Sequence, residues 1–507
     1  MAFYRSANIR LTKETSDNLK KTCYPGPDEL INGKYARLRP QYLAFQAFDK
    51  AHIIMLCEQG WLSQKEAADM LAVLRELEEG DVEEARAATG EHWHAGEAIL
   101  TQRLGKAKGG KMHLGRSSGD LLNVTYRYTL RQRLLALCGA FNEFRSAVLK
   151  VAEEHKNTVM PAYTHMQHAQ PMTFGYYLAS WAAAYDRDFE RLRQFFARAN
   201  VSPAGAAIIG GSEFQLDRAR TCELLGFDKV SVNCFDSVWG RDVEIEAMSL
   251  ITVLGGDIGR LAEDLLLWST PEFRMVESDD ALCGTSSIMP QKKNSYALEY
   301  LKGLPCFTSG AFMEMAMVHK NPTSAPVLDW IRMMGDTWRC YDELITAIPL
   351  AEEVISTLKV NKELMRYRAG YYWATATDLA GVMVKECNIP WRQAHQITGI
   401  TVRLGIERNL NPEEIGADLV REASRQFNGQ DLEITDGQVR RAMNPEESVK
   451  NHNMPGGPAA ERVAEELDVH KKILLDDRAW LEKQKIHNDN AAKLMESVID
   501  RIIRPNE

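Results

Sequence analysis

Residues 134–151 read LLALCGAFNEFRSAVLKV, and this stretch decides the fold class. Its large apolar residues recur at alternating steps of three and four positions: Leu134, Leu137, Phe141, Phe144, Val148 and Val151. That spacing places one apolar stripe along a helix of several turns. The same spacing returns in residues 251–265, where Gly255 and Gly256 predict the close approach of a neighbouring helix. Alternating strand-like runs are few, so we predict an all-α subunit whose central third is a bundle of long helices.

The long stripes also bear on assembly and domain organisation. One small domain cannot bury them all, so we expect apolar faces to remain for other subunits, with an extended monomeric bundle as the alternative. We predict an N-terminal helical domain, a central helix bundle and a C-terminal helical domain with an amphipathic tail: residues 1–112, 113–366 and 367–507. The boundaries follow a Gly-Lys run at 105–111 and the segment 361–368. In the tail, residues 461–503 predict an amphipathic helix interrupted near residues 487–490.

Composition excludes several classes of protein. The chain has 507 residues, of which 45% are hydrophobic and 26% charged, as in ordinary globular proteins. A formal net charge of -9, with no long basic run, argues against nucleic-acid binding. No apolar segment is long enough to span a membrane, and residues 1–6 lack a signal peptide's apolar core, so we expect a cytoplasmic protein. The nine cysteines show no paired spacing, which favours reduced core residues over disulfides or metal ligands.

A glycine-led segment carries the strongest chemical signal. Residues 284–294 read GTSSIMPQKKN. Small residues after Gly284 let backbone N–H groups approach an anion, while Lys292 and Asn294 add a point charge and an amide donor. Such a loop can wrap a carboxylate. The alternative is a Ser/Thr-rich turn that precedes a helix.

Further segments would have to meet this loop in a catalytic site. Residues 112–120 read MHLGRSSGD, a glycine-bracketed turn whose guanidinium and hydroxyls suit carboxylate recognition. Residues 163–175 read YTHMQHAQPMTFG, and we expect the adjacent Thr164 and His165 at the start of a helix whose N-terminus favours anions. Arg241, close to Asn233, Asp236 and Asp242, is by itself more typical of a capping and salt-bridge cluster.

Together these segments resemble the argininosuccinate lyases of the fumarase/aspartase superfamily, from about residue 91 to residue 403. The matching blocks follow that family's order: Glu91-His92-Trp93-His94 with Glu97, Gly115-Arg116-Ser117, Tyr163-Thr164-His165, Gln170-Pro171, Pro203-Ala204-Gly205, Asp217-Arg218, Arg241-Asp242, the loop at Ser286, residues 374–380, and Ala394-His395. The resemblance implies an all-α homotetramer of three-domain subunits, with active sites composed from three chains. It also implies a small, dicarboxylate-containing substrate, and we expect no metal or organic cofactor.

The resemblance assigns roles to individual residues. Ser286 is the base that removes the proton beta to the leaving group, and Lys292 and Asn294 hold the substrate carboxylate. Thr164 and His165 contact the leaving group and a carboxylate, and whether His165 acts as an acid or only binds stays open. Further substrate-binding candidates are Arg116, Ser117, Ser118, Gln170, Arg241, Ser287, Met289, His319 and Lys320.

Departures from the family pattern decide the substrate prediction. After Ser117 the family typically continues with arginine and asparagine, but this chain continues with Ser118-Gly119. Residues 319–326, HKNPTSAP, replace a later tyrosine, asparagine, glutamine and lysine pattern that holds the amino-acid end of argininosuccinate. Such a site would leave polar groups of argininosuccinate unpaired. We therefore predict a carbon–nitrogen lyase that eliminates fumarate from another N-substituted aspartate, of ethylenediamine-disuccinate or iminodisuccinate type, through an aci-carboxylate intermediate.

Three alternatives stay open. The chain could be an argininosuccinate lyase with altered anchors. It could be a non-catalytic structural tetramer, although Ser286, Lys292 and His165 argue against that class. Carbon–oxygen elimination, as in fumarase, shares the loop chemistry.

Overall fold

A computed structural model describes residues 16–18, 38–320 and 328–504. These residues fold mainly into helices: α1 (Tyr42–Glu58), α2 (Gln64–Glu78), α3 (Val82–Ala87), α4 (Ala95–Leu104), α5 (Lys106–Gly109), α6 (Ser118–Glu154), α7 (Phe174–Ala199), α8 (Arg218–Leu224), α9 (Cys234–Trp239), α10 (Asp242–Trp268), α11 (Tyr296–Lys320), α12 (Leu328–Thr357), α13 (Lys362–Gly370), α14 (Ala376–Glu386), α15 (Trp391–Glu407), α16 (Ala417–Asn428), α17 (Asp436–Met443), α18 (Pro445–Asn451) and α19 (Ala460–Ile503). The prediction of an all-α subunit is confirmed.

Short strands pair into small two-stranded sheets between the helices. The antiparallel pairs are β1 (Val159–Thr164) with β2 (Gln167–Thr173), β5 (Val276–Glu277) with β8 (Lys359–Val360), and β6 (Gly284–Thr285) with β7 (Lys293–Asn294), and the parallel pair is β3 (Val201–Ser202) with β4 (Lys229–Val230). Short 3-10 turns are found at Arg39–Gln41, His92–His94, Gly110–His113, Asp280–Leu282 and Pro412–Glu414. Each sheet joins loops at the helix ends, so the sheets position connections and do not build the core.

Helix α6 forms the centre of the bundle, and its start is fixed by a capping box. The backbone N–H of Ser117 donates to Asp120 Oδ1 at 2.9 Å, and the Ser117 hydroxyl accepts from the first turn. From there α6 runs for 37 residues, which corresponds to a length of about 55 Å. Its predicted stripe is buried from Leu134 to Val151 against α7, α12 and α19. The predicted helix at residues 134–151 is confirmed.

Helices α10 and α11 run antiparallel in close contact. A Cβ on Gly255 would lie 3.3 Å from the Thr308 hydroxyl, and one on Gly259 would lie 2.6 Å from Pro305. Close approach at Gly255 is therefore confirmed, but Gly256 faces open space and Gly259 makes the tighter contact. Glycine at these positions brings the two helix backbones together.

The C-terminal helix α19 is continuous over 44 residues, so the predicted interruption near residues 487–490 is wrong. Asparagine and aspartate lower helix propensity by only about half a kcal/mol each, which burial of the apolar stripe outweighs. Ion pairs hold α19 on the bundle: Arg145 binds Asp186 at 2.6 Å and Asp477 at 2.8 Å, and His470 binds Asp186 at 2.6 Å. Burial opposes the charge of His470, yet its carboxylate partners raise its pKa to about 9.

The described chain holds two large hydrophobic cores and a small third cluster of Val159, Ala369 and Val449. The larger core takes in α1, α2, α6, α7, α10, α11, α12 and α19. A second core lies within α14 to α17 and includes Leu379, Ile397, Val420 and Met443. The division into three domains stays a prediction.

Among the described helices, none combines the length and apolarity needed to cross a membrane.

Candidate active site

The loop between β6 and β7, residues 286–292, has a base that is fixed by buried contacts. Lys293 is buried beneath it and donates to Glu277 Oε1, to the Ser278 carbonyl and to Asp280 Oδ1, each at 2.7 Å. Burial disfavours the ammonium, but these hydrogen bonds raise the pKa of Lys293. Gly284 packs flat against Tyr296, because a Cβ there would lie 2.0 Å from the ring. The base therefore fixes the loop while its tip projects outward.

The hydroxyl of Ser286 lies under two backbone donors. Its Oγ accepts from the N–H of Met289 at 3.0 Å and from the N–H of Ile288 at 3.3 Å. Donors aimed at this oxygen favour its negatively charged form. Ser287, Met289 and Lys292 are exposed at the tip, whereas Asn294 is half-buried in β7. The loop thus combines a serine oxygen that accepts from two main-chain donors with an exposed cation.

Thr164 and His165 occupy a hairpin turn, so their expected place at a helix start is wrong. Thr164 ends β1, and His165 and Met166 have φ angles of 52° and 59° before β2 begins. Two consecutive positive φ values define the tight turn that suits the twist of a hairpin. The following helix starts only at Phe174. Sequence periodicity did not reveal the strands, because they are short and interrupted by proline.

The hairpin lies close to the base of the loop. The Tyr163 hydroxyl contacts Met275 Sδ at 3.9 Å, next to β5 and Glu277. His168 packs edge-on against Tyr163 and Tyr372, with ring centroids 5.0 and 4.9 Å apart. Thr164, His165 and Gln170 are all exposed. We call the hairpin turn and loop 286–292 together the loop end of the bundle.

Arg116 is held by a carboxylate that the sequence analysis missed. Its Nη1 donates to Asp49 Oδ1 at 2.8 Å, and its guanidinium lies 4.5 Å from the Phe48 ring centre. Arg86 binds the other oxygen of Asp49 at 2.7 Å. Nε and Nη2 of Arg116 have no hydrogen-bond partner among the described residues. Asp49 sits in the apolar helix α1 without any motif around it, so sequence reasoning had no signal for its role.

Ser117 and Ser118 begin α6 beside Arg116. Ser117 caps the helix, and Ser118 is its first residue and is half-buried. Asp120 completes the capping box, and burial raises its pKa to about 6 despite hydrogen bonds from the backbone. These residues therefore have a structural role in starting α6, whatever contact they make with a substrate.

Arg241 and the end of α11 lie near the start of α6. The Arg241 guanidinium stacks 3.7 Å from the Trp330 ring centre and donates to Asn123 Oδ1 at 2.9 Å. His319 and Lys320 are exposed at the C-terminus of α11, and residues 321–326 lie outside the described residues. The residues near the start of α6 form a second group, which we call the arginine end: Arg116, Ser117, Ser118, Arg241, His319 and Lys320.

The two ends are separated by the length of the bundle. Arg116 precedes α6 and the hairpin follows it, so about 55 Å of helix lies between them. Helix α10 likewise runs from Arg241 toward the loop, and antiparallel α11 returns to His319. Within residues 38–320 and 328–504, no hydrogen bond or ion pair joins the arginine end to the loop end. One chain alone does not bring the predicted residues together.

The chain matches known proteins over most of its length. Residues 34–308 match the family described as Lyase, and residues 373–450 match the family described as Argininosuccinate lyase C-terminal. The argininosuccinate lyase of Methanoculleus marisnigri is 36% identical over 437 residues, which cover 86% of this chain and 88% of that protein. The corresponding enzyme of Methanosarcina acetivorans is 34% identical and covers 90% and 92%. The crystal structure of EDDS lyase in complex with formate has a TM-score of 0.89, at 31% identity, over 99% of this chain and 98% of that one.

Proposed function

The chain belongs to the argininosuccinate lyase family and is a carbon–nitrogen lyase that releases fumarate, and we propose that its substrate is an aminopolycarboxylate-type N-substituted L-aspartate. The observation that carries the proposal is the loop of residues 286–292. It presents Ser286 beneath two N–H donors, with Lys292 exposed in the same loop. This arrangement supports removal of a proton next to a carboxylate.

In the proposed reaction, the Ser286 alkoxide takes the proton from the carbon beta to the substrate nitrogen and becomes the neutral hydroxyl. The electrons of that C–H bond move onto the adjacent carboxylate and form the aci-carboxylate. They then form the double bond of fumarate as the C–N bond breaks, and the amine leaves with the bonding pair and acquires a proton. Lys292 and Asn294 stabilise the intermediate's added charge. His165 is the candidate contact to the departing nitrogen.

The two backbone donors address the main difficulty of a serine base. An alkoxide is unfavourable in water, and each hydrogen bond to a charged acceptor contributes about 1.5–3 kcal/mol. Donors from Ile288 and Met289 stabilise the Ser286 alkoxide relative to the hydroxyl and so reduce the cost of forming the base. Closure over a substrate that excludes water would strengthen them further.

The arginine end supports an aminopolycarboxylate over argininosuccinate. Ser118 at the first turn of α6 stands where argininosuccinate lyases typically carry an arginine, so one long cation is missing. Arg116 keeps two buried nitrogens without partners among the described residues, and these suit a further carboxylate. The likeness to EDDS lyase over 99% of the chain points the same way. The relatives named argininosuccinate lyase favour the alternative substrate.

We expect at least about 100-fold higher kcat/KM for ethylenediamine-disuccinate or iminodisuccinate than for argininosuccinate. The reason is that each missing charged contact costs about 1.5–3 kcal/mol when its partner is left buried and unpaired. Fumarate absorbance measured under the same conditions for each compound gives the ratio directly. A preference for argininosuccinate would assign the chain to the alternative activity.

We also propose a homotetramer in which each active site is composed from three chains, with the Arg116, His165 and Ser286 segments supplied by different subunits. The separation of about 55 Å along α6 supports this arrangement. Exposed apolar side chains on α10 and α11 offer surfaces for assembly, among them Val253, Met313 and Met317.

Mixed tetramers test this arrangement. Arg116→Ala and Ser286→Ala chains are each expected to be inactive, but co-refolding them in equal amounts should restore activity at about one quarter of the sites. The reason is that Arg116 and Ser286 of one site come from different chains, and each of these chains has an even chance of carrying the intact residue. A mixture of Ser286→Ala with Lys292→Met is the matched control, because both changes lie in one loop and no site regains both residues. Equal recovery in the two mixtures, or none in the first, contradicts sites shared between subunits.

A further inference from the structure

Three potential metal ligands meet at the surface between α4 and the 3-10 turn that precedes Arg116. His113 Nδ1 lies 2.9 Å from Glu97 Oε2, and His94 Nδ1 lies 3.7 Å from the same oxygen. The two imidazole rings are 5.2 Å apart, and one ligand atom from each residue falls within 4.8 Å of the others. The three residues form no spaced motif in the sequence, because His113 is far along the chain from His94 and Glu97.

From this geometry we propose that His94, Glu97 and His113 form a binding site for a first-row divalent metal ion of the zinc, cobalt or nickel type. Tetrahedral Zn²⁺ with bonds of about 2.0–2.1 Å holds its ligand atoms about 3.4 Å apart. The observed 2.9 and 3.7 Å separations lie on either side of that value. Two imidazoles and one carboxylate suit these ions better than Mg²⁺ or Ca²⁺, which prefer oxygen ligands.

The surrounding structure holds the three side chains in place. His94 occupies the N-cap position of α4, but its ring makes no capping hydrogen bond. Glu97 is in the first turn of the same helix. His113 ends the 3-10 turn, whose neighbour Met112 is buried. Each of the three side chains is about one-third exposed, at 37%, 32% and 34%, which leaves a fourth coordination position to solvent. This is an open site with preformed protein ligands.

The local charges are compatible with a bound cation. Burial and the neighbouring His113 lower the pKa of His94, so its ring is neutral and able to coordinate near pH 7. Glu91 adds a second negative charge near His94. Arg116 is the opposing cation, but it is paired with Asp49 at 2.8 Å. A bound ion would tie α4 to the turn that leads into the arginine end.

Metal titration of the tag-free, chelator-treated tetramer or monomer tests the site without reference to turnover. We expect saturable binding of one Zn²⁺ per chain by calorimetry, and a visible absorbance band of four-coordinate Co²⁺ that Zn²⁺ displaces. Glu97→Gln and His113→Ala should each weaken Zn²⁺ binding at least about tenfold. His92→Ala, a histidine two residues from His94, is the matched control and should bind as the parent does.

Both variants need circular dichroism to establish that they are folded, and Glu97→Gln keeps the test valid if His113→Ala does not fold. Absence of saturable Zn²⁺ binding by the parent overturns the proposal. So does unchanged affinity in folded Glu97→Gln, because the ion would then bind elsewhere. Since neither readout uses fumarate release, failure here leaves the proposed reaction untouched.

Discussion

Ser286→Ala should lower kcat/KM for fumarate release by at least about a hundredfold while the protein keeps its fold and assembly. The side chain is the proposed base, and a positioned base contributes about two to four powers of ten to rate. Its oxygen is also the acceptor for the N–H groups of Ile288 and Met289, so the alanine variant loses the alkoxide that these donors stabilise. Initial rates of fumarate absorbance at substrate concentrations well below KM measure the loss.

Stability should change little, because Ser286 is only partly buried in a loop whose base is held by Lys293 and Tyr296. We expect the thermal unfolding temperature to stay close to that of the parent. Ser180→Ala is the matched control, since it removes an exposed hydroxyl bonded within α7. Activity of Ser286→Ala within a few-fold of this control would show that another group removes the proton.

Adjacent lysines should give opposite results. Lys293→Met leaves Glu277 and Asp280 buried without their shared cation, and loss of one partner of a buried ion pair costs about 3–5 kcal/mol. We therefore expect a clear fall in the unfolding temperature. Lys292→Met removes only an exposed charge and should leave that temperature unchanged.

Activity, measured on folded protein, is the second property that depends on Lys292. Lys292→Met should lower kcat by about two to three powers of ten, because the aci-carboxylate loses its opposing charge. Lys292→Arg serves as the control that keeps the charge and should retain part of the activity. If Lys292→Met were fully active, the carboxylate would have to be held by other groups and the assignment of roles within the loop would be wrong.

Helix periodicity was sufficient to predict the class of fold. The stripe from Leu134 to Val151 faces the core as expected, because a long amphipathic helix repeats its pattern over many turns. Local signals failed where few residues decide the conformation. The turn at His165 and Met166 depends on two positive φ angles, and the continuity of α19 through Asn488 depends on packing against other helices.

For the candidate site, residue types in the loop were informative but their placement was not. The sequence predicts that Ser286 and Lys292 act together, yet only the fold separates exposed Lys292 from buried Lys293. The donors to Ser286 Oγ are main-chain N–H groups, so the identities of residues 288 and 289 did not reveal them. Asp49 acts on Arg116 across 67 positions, a pairing that only tertiary structure creates.

The central claim is cleavage of a carbon–nitrogen bond, and product analysis by NMR tests it most directly. Incubation with ethylenediamine-disuccinate or another N-substituted aspartate should yield fumarate and the free amine in equal amounts, and Ser286→Ala should yield neither. Conversion of malate to fumarate, with no amine released from any N-substituted aspartate including argininosuccinate, would contradict the account.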